Sequence, residues 1–234
     1  DYELRVQLQA AGGDVVWKTV LPLCPYPTSR WSPGEVFHVL YDLNIAADVS
    51  PGQYRLVVTV LDPGGEPLAP GDFYLSPLEV TGRAHHFGLP GAVQHPLDLR
   101  LGANGEVTLL GYDLPQTGVA PGGVVTLTLY WRCETPLPAG YIVFTHLLDA
   151  GGQVRGQVDS PPQGGAAPTT SWLAGEVIVD EYRIPLDEDA PAGVYHIEVG
   201  MYDPATVVRL PVFAADGSRL PDDRVLLETV ITVR

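Results

Sequence analysis

The chain is poor in most of what identifies an enzyme or a nucleic-acid binder. Among 234 residues there is one lysine, Lys18, and Lys and Arg together number 13 against 28 Asp and Glu, for a net charge of −15. Nucleic-acid binding needs clustered cations, and so does attraction to anionic membrane surfaces, so both classes are excluded. Only two cysteines occur, Cys24 and Cys133. They form neither a zinc pattern nor a disulfide framework, and both are expected to be free and buried. No apolar run approaches the ~20 residues of a membrane-spanning helix. No stretch sustains a 3.6-residue apolar period, so almost no helix is expected. There is no nucleophile elbow, no His-Glu-x-x-His, no phosphate-binding glycine loop and no dinucleotide fingerprint, so no catalytic residue is assigned.

What is present is turn chemistry between short apolar runs. Gly (26) and Pro (23) lie between Val/Leu/Ile/Thr/Tyr segments, the pattern of a many-stranded protein. The chain opens on Asp1-Tyr2-Glu3-Leu4 already alternating, as an excised piece would.

The dominant feature is an internal repeat. Trp31/Trp172, Gly34/Gly175, Gly52/Gly193, Tyr54/Tyr195 and Asp62/Asp203 are each 141 apart, and the stretch from Tyr2 repeats from Tyr141 at a spacing of 139. The second copy has three strand candidates ahead of Tyr141, at 97–101, 107–112 and 124–131, and the first copy has no counterpart to them. The expected fold is all-β: two tandem immunoglobulin-like or jelly-roll-like antiparallel sandwiches, the first lacking its leading strands. Residues 1–82 form the incomplete repeat, 83–96 a linker and 97–234 the complete repeat. In the first copy, strands are expected at 3–9, 15–20, 53–61 and 75–81, and one at 36–43 with Phe37, Val39, Tyr41 and Leu43 on one face. The bare edge of the incomplete sandwich is expected to be covered by the linker, the second unit or a second molecule.

The two copies control for each other. Gly52-x-Tyr54 and Gly193-x-Tyr195 resemble the tyrosine corner of immunoglobulin-like sandwiches, a structural device. Three differences carry the candidate site residues. The outer face of the Tyr141 strand reads Ile142, Phe144, His146 and Leu148 against Glu3, Arg5, Gln7 and Gln9. It is either a platform on which sugar rings stack, with Trp172 nearby, or a face covered by other protein. Asp180 falls on the core-facing parity of its strand, where the first copy has Val39. It is read as a structural latch rather than a catalytic acid, with Arg132, Arg183, His146 or the backbone of the Trp172 loop as its partner. His196, Glu198 and Tyr202 share the outer face of 194–202 and, with His146 and Tyr130, form either a polar-aromatic surface or a solvated sheet face. His85, His86 and His95 sit among Gly and Pro in the linker. No metal site and no cofactor are assigned there or elsewhere.

The second copy contains Leu110-Gly-Tyr-Asp-Leu114, Leu127-Thr-Leu-Tyr-Trp131, Val143-Phe-Thr-His-Leu-Leu-Asp149, Gly175-Glu-Val-Ile-Val-Asp180 and Gly200-Met-Tyr-Asp-Pro204 followed by Arg209-Leu-Pro211. In this order it resembles the β-sandwich region at the extracytoplasmic C-terminal end of bacterial membrane glycosyltransferases of the dolichyl-phosphate-mannose–protein mannosyltransferase-like family (family 39). The resemblance covers about residues 106–234 well and 2–81 loosely. It implies an extracytoplasmic location beside a parent membrane domain, in which the family's catalysis resides. The chain itself is then a non-catalytic accessory region. It either binds or positions a glycan or polypeptide acceptor, or serves as a spacer or protein-interaction module. Glycoside chemistry from an acidic pair such as Asp187-Glu188 or Asp222-Asp223 is the third reading.

Overall fold

The computed structural model describes all residues, 1–234, and is all-β. It divides into two compact units, Asp1–Gly82 and Arg83–Arg234. No helix is long and apolar enough to cross a membrane.

The first unit is one antiparallel sheet of four strands in the order β2-β1-β3-β4. These are β1 (Glu3–Gln9), β2 (Val15–Pro22), β3 (Gly52–Leu61) and β4 (Pro67–Val80). Leu4, Val6 and Leu8 pair with Val60, Val58 and Leu56 and so share a face with them. The expected strand at 36–43 is corrected: those residues belong to no ladder, although Val39, Tyr41 and Leu43 are half-buried while His38, Leu40 and Asp42 are exposed. The alternation that suggested a strand is real, and no strand among residues 1–234 pairs with the segment.

The second unit is a sandwich. Its first sheet runs β11-β8-β6-β5-β14, formed by β5 (His95–Leu101), β6 (Val107–Asp113), β8 (Val124–Cys133), β11 (Val177–Pro185) and β14 (Val212–Phe213). Its other sheet runs β10-β9-β12-β16-β7, from β7 (Gly118–Val119), β9 (Ile142–Leu148), β10 (Val154–Ser160), β12 (Gly193–Asp203) and β16 (Ile231–Val233). Two short strands, β13 (Val208–Arg209) and β15 (Val225–Leu226), also pair with β12. Leu109, Leu127, Leu129, Trp131 and Ile178 of one sheet interdigitate with Val143, Leu147, Tyr195, Ile197, Val199 and Met201 of the other. Burial of this size is the main stabilising term for a β-sandwich.

The repeat holds at the level of individual bonds. Glu3↔Leu61 and Leu8↔Leu56 become Ile142↔Tyr202 and Leu147↔Ile197. Thr28 Oγ1 accepts the amide of Tyr2 at 3.0 Å, and Thr169 Oγ1 accepts that of Tyr141 at 2.9 Å. Trp31 donates its indole N–H to Tyr26 at 3.2 Å, and Trp172 to Ala167 at 2.8 Å. One ladder differs. β4 follows β3 in a single run, whereas in the second unit that strand is broken into β13, β15 and β16. From Gly52 to its partner Val80 is 28 positions, and from Gly193 to Val233 is 40. The added residues leave the sheet, place β14 against β5 and return.

Of residues 83–96, expected as a linker, His95 and Pro96 begin β5, and 83–94 carry no strand and are bonded into the second unit. His86 accepts the amide of Val177 at 2.7 Å, and the side chain of Gln94 accepts that of Leu114 at 3.0 Å. Cys24 and Cys133 are free and buried.

Candidate functional site

The face proposed as a sugar platform is roofed by the added residues. Phe144 is 1% exposed. Its ring lies opposite Gly200 in the ladder, where a Cβ would come within 2.5 Å of the ring, so only glycine admits Phe144 there. The Arg209 guanidinium stacks 4.4 Å above the ring centroid, and Tyr202 lies at 6.4 Å between centroids. The platform reading is therefore corrected for Phe144, since a ring sealed under an arginine offers no face to a sugar.

Beside Phe144 the same two strands bring a polar cluster together. His146 and Glu198 are ladder partners. His146 Nδ1 lies 2.8 Å from Glu198, and its Nε2 lies 3.1 Å from Asp159. The guanidinium of Arg224 donates to the other Glu198 oxygen, Arg209 stands 3.6 Å away, and Asp222 holds Arg224 at 3.2 Å. Burial raises the Glu198 carboxyl, but bonds from His146 and Arg224 outweigh it and hold the pKa down at about 2. Burial lowers His146, but the two carboxylates outweigh it and the imidazole is raised. With His146 protonated, three cations meet three carboxylates. The network is closed and holds the added loop down. His196 lies two residues from Glu198 on the same face, opposite Leu148, and takes no part. Tyr130 is on the other sheet, bonded to Asp113 at 2.7 Å, so the expected single surface does not include it.

Asp180 and Trp172 belong to a second cluster, at the loop of residues 160–171. Asp180, 1% exposed, accepts the backbone N–H of Gln163 at 2.7 Å and the Tyr182 hydroxyl at 2.6 Å. This is a latch to the loop ahead of Trp172, one of the partners expected; Arg132, Arg183 and His146 do not reach it. Burial pushes the Asp180 carboxyl up to about 6, against the pull of those donors. Trp172 is 1% exposed, so it too is removed from the sugar-stacking residues.

Sequence reasoning missed a third cluster, around Glu176. The carboxylate is fully buried. It accepts the amide of Leu173 at 2.9 Å, as Glu35 accepts that of Ser32 at 2.7 Å. In the second unit it also receives Arg83 bidentately, with His85 Nδ1 3.0 Å away. Arg83 further donates to the Ser171 hydroxyl at 3.0 Å. The signal available was a glutamate at a turn with an arginine 93 positions upstream, which no local rule connects. A cavity of about 530 Å³ opens beside it, lined by Arg83, His86, Gln163, Ala166, Ile178 and Val179. No group of three or more His, Cys, Asp or Glu side chains is placed to hold a metal ion.

The first unit presents a different kind of surface. On β4, Phe73, Leu75 and Leu78 are 46%, 49% and 37% exposed. Phe73 pairs with Val58 and Leu78 with Tyr54. At the same ladder positions of the second unit, Val225 pairs with Val199 and Ile231 with Tyr195, and they are 2% and 1% exposed against the facing sheet. On the other face of the first sheet, Arg5, Thr59 and Asp72 join through bonds of 3.3 and 2.6 Å.

No family model and no curated protein matches the chain. Among solved structures, it is similar to the CARDB domain of a Pyrococcus furiosus protein in complex with di-metal ions. The identity is 10% over 62% of this chain and 94% of that one, with a TM-score of 0.28. It is also similar to a protein described as membrane anchored from Corynebacterium diphtheriae, at 14% identity over 100% of this chain and 52% of that one, with a TM-score of 0.24. At these scores neither likeness carries an argument about this chain.

Proposed function

We propose that this chain is a non-catalytic, extracytoplasmic accessory region of a membrane glycosyltransferase-like protein, and that it works by contact with other polypeptide rather than with sugar. The observation that carries the reading is the open apolar face of the first unit, with Phe73, Leu75 and Leu78 at 46%, 49% and 37% exposure. Contiguous apolar surface of this kind marks interaction sites on stable proteins. The burial of Phe144 and Trp172 supports the same reading, because stacking on a sugar needs an accessible ring. The sequence resemblance supports the location and the membrane company.

The test is a photo-crosslinking residue placed at Leu75 and, as control, at Asp216 of the second unit, in cells that make the full-length protein. A discrete polypeptide adduct at 75 and none at 216 is expected. No adduct at 75, together with glycans retained on an array by the folded wild type, would return the chain to the sugar-binding class.

A further inference from the structure

A cavity of about 380 Å³ lies within the second unit, between the turn at 102–106, Leu137-Pro138 and the stretch 203–211 that carries β13. Leu137, Pro138, Leu210 and Pro211 give it apolar walls, and Tyr141 stands among them. The charged residues on its lining are Glu106, Asp203 and Arg209. The Arg209 guanidinium is committed elsewhere: it lies over the Phe144 ring at 4.4 Å, donates to the Asp222 carbonyl at 3.1 Å and stands 3.6 Å from Glu198. The cavity is left with two carboxylates and no free cation. Both are fixed in place by their own turns. Glu106 accepts the Asn104 amide at 3.1 Å and its side chain at 2.9 Å, and Asp203 accepts the Ala205 amide at 2.9 Å and the Thr206 hydroxyl at 3.1 Å. A carboxylate has about four lone-pair sites, so each keeps room for another donor. Burial raises the Glu106 carboxyl, but the bonds from Asn104 outweigh it and lower it, so the group stays ionised. Gly102 takes a φ of 96, and a Cβ there would collide with the Glu106 carboxylate, so glycine sets where that charge sits.

The Tyr141 hydroxyl is the group left over. In the same unit Tyr112, Tyr130, Tyr182 and Tyr195 bond theirs to Thr229, Asp113, Asp180 and Pro191. Tyr141 is half-buried and its amide is bonded to Thr169, but its hydroxyl has no partner in the chain. Burial raises this phenol, and the carboxylates of Asp203 and Glu106 raise it further, so both charges act on the same hydroxyl. Two carboxylates and a phenol oxygen are three acceptors, and an ammonium is three donors with no acceptor. We propose that this cavity binds an aliphatic primary ammonium, its N–H groups directed at Glu106, Asp203 and the Tyr141 hydroxyl and its alkyl chain laid on Leu137, Pro138, Leu210 and Pro211. An anion is repelled by the two carboxylates. A guanidinium is a planar fork matched to a single carboxylate, whereas an ammonium takes acceptors from several directions. The cation is carried by a free alkylamine or by a lysine side chain of a polypeptide, and the chemistry recognised is the same.

This site goes beyond the polypeptide contact at Phe73, Leu75 and Leu78 and does not depend on it. The intact, isotope-labelled chain is titrated with Nα-acetyl-lysine N-methylamide and, separately, with cadaverine, and followed by its amide chemical shifts. The control is the same lysine derivative acetylated at Nζ, which keeps the stem and loses the charge. Saturable shifts at residues 102–106, 141 and 203–211 are expected with an ammonium and not with the control. Glu106→Gln keeps an acceptor for Asn104 and removes the charge, and is expected to weaken binding roughly tenfold. Tyr141→Phe removes a hydroxyl that has no partner in the chain, so it is expected to fold as wild type does and to bind several-fold less. Should Glu106→Gln fail to fold, Tyr141→Phe decides. Shifts with the lysine derivative alone assign the site to a polypeptide side chain, and shifts with cadaverine extend it to free amines. No saturable shift with either amine, equal shifts with the acetylated control, or undiminished binding by the folded variants would each overturn the proposal.

Discussion

His146 and Glu198 are opposite each other in the β9–β12 ladder, 2.8 Å apart, with a second carboxylate on the far side of the imidazole, Arg224 on the other carboxylate oxygen and Arg209 near the one that His146 meets. The two groups act on stability from opposite ends of the pH scale. Glu198 is held near 2, below its unfolded value of about 4.3, so its contribution is full above 4.3 and is lost as pH falls toward 2. A shift of this size is worth about 3 kcal/mol. His146 is raised, so its contribution is full below about 6.5 and is lost as pH rises through the folded value. His146→Gln is expected to erase the decline above pH 6.5 while keeping the acid limb. Urea midpoints from pH 3 to 9 measure it, and parallel profiles for wild type and variant would refute it.

Asp180 has the reverse sign. Its folded pKa of about 6 lies above the unfolded value of about 3.9, so the folded state binds the extra proton and this group lowers stability as pH rises from 4 to 6. Asp180→Asn is expected to remove that slope and to match or exceed wild type at pH 7. Asp180→Ala leaves the Gln163 amide and Tyr182 hydroxyl without their acceptor and is expected to cost about 1–3 kcal/mol. An Asn variant less stable than the Ala variant at pH 7 would overturn the latch.

The Arg83–Glu176 pair decides whether residues 83–94 belong to the second unit energetically. Glu176 is fully buried, so removing its guanidinium strands a charge. Arg83→Ala is expected to destabilise the second unit by about 3–5 kcal/mol, and adding Glu176→Gln to recover part of the loss. Chemical denaturation followed by tryptophan fluorescence tests this. A neutral Arg83→Ala would make the segment a linker in fact.

Much of the fold was legible because repetition acts as an internal alignment. Tyr54 and Tyr195, the two tryptophan turns and the β1–β3 register were readable from constant spacing. Asp180 was readable from parity alone, since a carboxylate in phase with Ile178 and Tyr182 has to find donors. Three things were not. Residues 36–43 alternate as a strand does, but a strand needs a neighbour, and alternation does not report whether one is there. Phe144 was in phase with a solvent-facing surface, and the roof over it comes from residues with no counterpart in the first copy. Arg83 finds Glu176 across 93 positions, a tertiary pairing with no local trace.

The two tyrosine corners give the closest comparison between the units. Tyr54 donates to the carbonyl of Ser50 at 2.7 Å, and Tyr195 to that of Pro191 at 2.9 Å, each reaching back four residues. The bonds are alike and the surroundings are not: Tyr195 is 1% exposed and packs in the sandwich core, while Tyr54 is half-buried on the open sheet. A hydrogen bond contributes in proportion to what its loss leaves unsatisfied and out of water. Tyr195→Phe is therefore expected to cost about 1–1.5 kcal/mol, and Tyr54→Phe less, because water reaches the Ser50 carbonyl. Paired melts of both variants measure this. A cost at Tyr54 equal to that at Tyr195 in the free chain would mean that the first sheet is already sealed.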